Sequence, residues 1–309
     1  MMSYCFVGAA SGWGAQILGT EGGPEAVWQS SLGANLSRHG IDALWHSLLY
    51  PSVRISQQVM ALDEGRLPLV SHHCDVVAHH VRDLVLDGQF PVVVGGDHAV
   101  AVGTWSGVTE ALDAREEFGL LWIDAHMDAH TPHTTPSFAY HGMPVASLLG
   151  YGPEVLTGLL SAHKKIHPSH LVLFGVRSFE SGEHHLLTRL GVRIFYMDEI
   201  RSRGVTVCMR EALELITQKT RRFGVSMDLD AFDPTVAPGV GSPEPGGLFP
   251  EDLLPALTCV WQHPGFSAFE LVELNPDIDL QGRTAALAQD ILFQVLTAHH
   301  QCRRLPAAS

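Results

Sequence analysis

The chain has 309 residues, 46% of them hydrophobic, and a formal charge of −14 at neutral pH. That length suits one large α/β domain spanning 1–309, and the acidic balance argues against nucleic acid or an anionic membrane surface as partner while suiting a cationic small substrate. Cys5, Cys74, Cys208, Cys259 and Cys302 are dispersed without a CxxC pair, Met1–Thr20 lacks a signal-peptide pattern, and no run approaches the ~18 apolar residues of a membrane span, so the chain reads as cytoplasmic.

In chain order, Tyr4–Ala10 is an apolar strand leading into a glycine-rich turn. Ile17 stands where the third glycine of a dinucleotide fingerprint belongs, which argues against nucleotide binding. Pro24 opens a helix. Ser52–Asp63 is polar and fits either a loop or a short helix. Leu67–Leu86 has helical spacing, and its histidines (His72, His73, His79, His80) point in several directions, as on a plain helix face. Pro91–Gly95 is a strand, Ala99–Leu112 a helix, and Leu120–Ile123 a second buried strand. Thr131–His141 is a loop rich in Thr, Pro and Ser. His170–Arg177 and Val192–Tyr196 are strands, with helices near Glu183–Leu190 and Val205–Thr220. Phe223–Asp228 and Ala268–Leu274 are strands, separated by the Gly/Pro-rich loop 237–247 and a helix over Pro250–Trp261. Arg283–His300 closes the chain as a helix. Strands alternating with helices predict a three-layer α/β fold with a mostly parallel sheet flanked by helices.

The chemistry gathers at three predicted strand ends. Asp124, His126 and Asp128 follow Leu-Leu-Trp-Ile at every second position, so an extended chain turns all three to one side. Asp228 and Asp230 repeat that spacing, and Gly95-Gly96-Asp97-His98 ends a third strand in an imidazole. A parallel sheet delivers such ends to one crevice. His98, Asp124, His126, Asp128, Asp228 and Asp230 then form a metal cradle whose four carboxylates balance about two divalent cations. Oxygen-rich ligation with some imidazole and no thiolate favours manganese over zinc.

These stretches, Gly95–His98, Asp124-Ala-His-Met-Asp128 and Ser226–Pro234, resemble the metal motifs of the ureohydrolases, the family of arginase, agmatinase and formimidoylglutamase. The similarity runs from the first strand to the last helix. It implies two Mn2+ per chain bridged by hydroxide, which cleaves a guanidino C–N bond to give urea and an amine. One ion would take His98, Asp124, Asp128 and Asp228, the other Asp124, His126, Asp228 and Asp230. The same resemblance makes His141 a proton shuttle and Glu273, near the last strand's end, the guanidinium partner through two parallel hydrogen bonds, so that His141, Glu273 and Asp128 are the candidate catalytic residues. It also implies a homo-oligomer, trimeric or hexameric.

Within the family the chain is most similar to the arginase branch, through Gly175–His184 and Gly241–Gly247. Arginases hold the substrate carboxylate with two asparagines and a serine; here His130 and Ala139 stand at the asparagine positions and Ser137 is kept. Glu180 replaces an aspartate near the α-amino group, Glu183 is retained, and Ser242 lines the same pocket. The resemblance therefore implies L-arginine cleaved to L-ornithine and urea, with another guanidino or formimidoyl compound as the alternative. A single-zinc deacetylase needs neither His98 nor Asp128, and a DxD glycosyltransferase leaves His98 and His126 unexplained.

Overall fold

A computed structural model describes residues 3–62, 65–113 and 117–304. Its centre is one eight-stranded sheet. The strands are β1 (Tyr4–Ala9), β2 (Ala43–Leu49), β3 (Phe90–Gly95), β4 (Phe118–Ile123), β5 (Leu171–Val176), β6 (Arg193–Tyr196), β7 (Arg222–Asp228) and β8 (Phe266–Val272). Their order is β2-β1-β3-β8-β7-β4-β5-β6, and every neighbouring pair is parallel.

The central strands are apolar at consecutive positions because each sheet face is covered by helices. Val92, Val94, Leu121, Ile123, Val225 and Met227 pack into the core on one face. Val93, Leu120 and Trp122 point into the core on the other, with Val7, Trp105 and Phe118. Burying each such side chain stabilises the fold by roughly 1.5–3 kcal/mol, an upper-end figure for a compact denatured chain.

The parallel sheet bears out the sequence expectation, with every pair parallel. Of the two alternatives for Ser52–Asp63, the structure has the helix, Val53–Leu62. Other segments differ from the expectation. The helix expected over Pro250–Trp261 is two short ones, Pro250–Ala256 and Thr258–Trp261. Helices Leu32–Arg38 and Met197–Arg203, and strand β2, were not anticipated. β2 lies at the sheet's edge and alternates between half-buried and exposed residues, so it lacks the apolar run that marks its central neighbours. Among the described residues no helix is long and apolar enough to cross a membrane.

Candidate metal centre

Four adjacent strands, β3, β8, β7 and β4, deliver their carboxyl ends to one crevice. His98 follows β3, Asp124, His126 and Asp128 follow β4, Asp228 ends β7 with Asp230 just beyond it, and Glu273 follows β8. The backbone at the β4 end is not simply extended. β4 stops at Ile123, and Asp128 adopts φ 49°. The three side chains converge because the chain turns, rather than by strand alternation alone.

His98 Nδ1 lies 3.2 Å from Asp124 Oδ2, 3.1 Å from Asp128 Oδ2 and 3.0 Å from Asp228 Oδ2. His126 Nδ1 lies 3.0 Å from Asp230 Oδ2 and 3.5 Å from Asp124 Oδ1. Asp124 is therefore common to two clusters that could each hold an ion, His98–Asp124–Asp128 and Asp124–His126–Asp230. Surrounding groups orient the ligands. Trp122 Nε1 donates to Asp124 Oδ2 at 2.8 Å, and its ring stacks on His98 at 4.1 Å. The backbone N–H of Asp230 donates to Asp228 at 2.8 Å, and that of Ala125 to Asp230 at 3.2 Å.

Ser226 Oγ donates to the buried Glu270 at 2.6 Å and lies 2.9 Å from His98 Nε2. With its proton directed to Glu270, the hydroxyl accepts from Nε2–H, which leaves Nδ1 as the lone-pair nitrogen among three carboxylates. Buried Nδ1 makes no well-aligned hydrogen bond there. In the neutral ring that lone pair faces carboxylate oxygens, which is repulsive unless a cation, a proton or a metal ion, lies between them, so the donor set fits divalent metal.

The charge state of the bare site agrees. Burial and Asp124 push Asp128 up to about 7. Burial, with Asp230 and Asp124 beside it, raises Asp228 well above the usual carboxylate range. Burial opposes protonation of His98 and His126, yet the facing carboxylates outweigh it and raise both. The site gathers protons where a metal would replace them.

Glu273 sits just past β8 with φ 67°, buried against His98 and His141 of the cavity wall. Its Oε1 accepts from the His98 backbone N–H at 2.9 Å and lies 3.1 Å from His141 Nδ1. Its Oε2 is buried and unpartnered. The carboxylate thus offers one free oxygen, not the two expected for a bidentate grip. Burial works against a charged His141, but Glu273 prevails and raises its pKa to about 9.

A cavity of about 290 Å³ opens above the cradle, with His130, Ser137, His141, Glu180, Glu183 and Ser242 in its wall. The expected substrate contacts are therefore together, but several are already engaged. His130 Nε2 lies 2.8 Å from Glu180 Oε2, and its Nδ1 lies 3.2 Å from Thr134 Oγ1. Both oxygens of Glu183 accept backbone N–H groups, from Glu180 at 3.0 Å and Ala129 at 3.1 Å. Glu183 caps a helix as much as it lines the pocket. The sequence reading missed Gln16, which lines the cavity, as well as Ser226 and Glu270. A buried acid inside the apolar strand Phe266–Val272 was the available signal for Glu270.

The arginase family profile matches residues 2–298. The arginase of Bacillus caldovelox is 34% identical over 293 residues, covering 93% of this chain and 96% of that protein. That of Brevibacillus brevis is 32% identical over 290 residues, covering 94% and 96%. The Bacillus caldovelox arginase structure superposes with a TM-score of 0.88 at 31% identity, covering 96% of this chain and 98% of that one. The Bacillus cereus arginase structure gives 0.86 at 30%, with the same coverage. The profile match and these full-length relatives carry one conclusion: the chain belongs to the arginase family, hydrolases acting on guanidino C–N bonds.

Proposed function

We propose that this protein is a two-manganese ureohydrolase that cleaves L-arginine to L-ornithine and urea in the cytoplasm, as a homo-oligomer. The observation that carries the metal chemistry is His98 Nδ1 turned toward Asp124, Asp128 and Asp228 with no hydrogen-bond partner of its own. Arginine follows from the names of the relatives.

His98 and Asp128 would hold one ion and His126 and Asp230 the other, with Asp124 and Asp228 shared. When bound, the pair lowers the pKa of water so that hydrolysis proceeds near neutral pH. The remaining residues bind and move protons. Oε2 of Glu273 accepts from the guanidinium. His141, tied to Glu273 through Nδ1, has Nε2 left to carry a proton to the departing amine.

The His130–Glu180 pair and Ala139 favour a second reading, a guanidino or formimidoyl compound other than arginine. A screen decides between them: urea release from arginine, agmatine and guanidinobutyrate, and formamide release from formimidoylglutamate, by manganese-loaded protein. Arginine should give the highest kcat/KM under the first reading. No urea from any guanidino compound overturns the function.

A further inference from the structure

Among the described residues, the wall of the metal cavity has neither lysine nor arginine in it. His130 is held by Glu180 and Thr134. In the loop beneath, the N–H of Phe138 donates to Thr135 Oγ1 at 2.9 Å and the N–H of Ala139 to Ser137 Oγ at 3.2 Å. A carboxylate arriving at this mouth meets neutral hydroxyls and an amide, and an imidazole already held by Glu180, but no lysine or arginine.

A second cavity of about 430 Å³ lies against the first, and Gln16 and Ser137 line both. Ala139 is part of its wall. Trp13, Phe138 and Tyr140 give it an aromatic surface, and Arg66 supplies a cation. The Arg66 guanidinium lies 5.8 Å from the Trp13 ring centroid, and Nη1 donates to Ala15 O at 2.6 Å. Among the described residues it has no carboxylate partner, which leaves its other donors open to a ligand. The wall is also anchored: His141 N–H donates to Gly14 O at 3.1 Å, and Gly14 N–H to Asp97 at 2.9 Å, joining the 13–16 turn to the candidate shuttle.

We propose that the two cavities form one substrate channel, and that the second takes the anionic end of a guanidino compound longer than an α-amino acid. The guanidine sits over the cradle and the chain passes Ser137 and Ala139. A carboxylate at least one amide unit further out pairs with Arg66 while the tail lies on Trp13 and Tyr140. A guanidinium offers a carboxylate two parallel hydrogen bonds, and an aromatic floor suits a planar amide. This rests on the metal cavity being a guanidino hydrolase site.

The probes are L-arginine, L-arginylglycine and agmatine, with urea release measured on manganese-loaded protein, Arg66→Ala and Arg66→Lys. We expect L-arginylglycine to have a higher kcat/KM than L-arginine. Arg66→Ala should lower its kcat/KM about tenfold through KM, the size of one charge-assisted contact. Arg66→Lys should recover part of that loss, and agmatine, with no anionic tail, should change less than about twofold. Loss confined to L-arginine, or an equal loss for agmatine, overturns the proposal. If no guanidino compound is cleaved, the hydrolase reading has failed, and calorimetric binding of L-lysine and L-lysylglycine still decides the channel. Weaker binding of L-lysylglycine alone in Arg66→Ala supports it; equal changes for both ligands overturn it.

Discussion

Oε1 of Glu273 lies 3.1 Å from Nδ1 of His141 and also accepts the backbone N–H of His98, so one carboxylate oxygen joins a candidate metal ligand to the candidate proton carrier. The contact depends on the left-handed turn of Glu273, whose own N–H donates to Gly96 O at 2.9 Å. Strain of this kind persists where surrounding structure over-determines it.

Glu273→Gln should lower kcat by about 10²-fold with both metals retained, because a neutral amide cannot pair with the guanidinium cation or support a charged His141 beside it. In metal-free protein, histidine NMR titration should show the His141 pKa falling from about 9 toward its ordinary value, since Glu273 is what holds it up. An unchanged His141 titration would mean that other acids set its charge.

His98→Ala and Asp128→Ala should each reduce bound manganese from about two ions per chain to about one, read by elemental analysis after dialysis. The two residues share a cluster that excludes His126 and Asp230. Two ions in either variant, with full activity, would remove that residue from the ligand set.

Gly96→Ala tests the backbone beneath the cradle. An added Cβ would stand 2.0 Å from Ser11 O, a backbone atom that cannot rotate away. Forcing β1 and β3 apart should cost about 1–3 kcal/mol, seen as a lower Tm, and should weaken metal binding because His98 and Glu273 both hang from this turn. A variant with unchanged Tm would mean the turn yields easily.

Acid sensitivity should come partly from His73, on the helix Leu67–Leu86. It is 1% exposed, both ring nitrogens are unpartnered, and burial depresses its pKa to about 4. The unfolded chain takes up this proton near 6.5 and the folded one near 4, so the contribution is intact above 6.5 and is lost as pH falls toward 4. The loss is on the order of 3 kcal/mol. His73→Leu should flatten the fall in urea-unfolding free energy across that window; an unaltered slope would assign the sensitivity elsewhere.

The central strands and the cradle were legible in the amino-acid order because their physics is local. Strands β3, β4 and β7 are buried on both faces, so each reads as an apolar run, and the acids and imidazoles begin where each run ends. Edge strand β2 and the helix Leu32–Arg38 were not legible, since half-exposed elements mix polar and apolar residues. Only the tertiary structure decided that β8 lies between β3 and β7, which brings Glu273 against His98 across 175 positions of chain. It alone revealed that Glu273 has one oxygen occupied, that Glu183 caps a helix, and that His130 is held by Glu180. Hydrogen-bond saturation depends on which distant donors reach an oxygen, and no local pattern encodes it. The cavity beside the mouth arises the same way, where the 13–16 turn, Arg66 and the 137–140 loop meet from three separate parts of the chain.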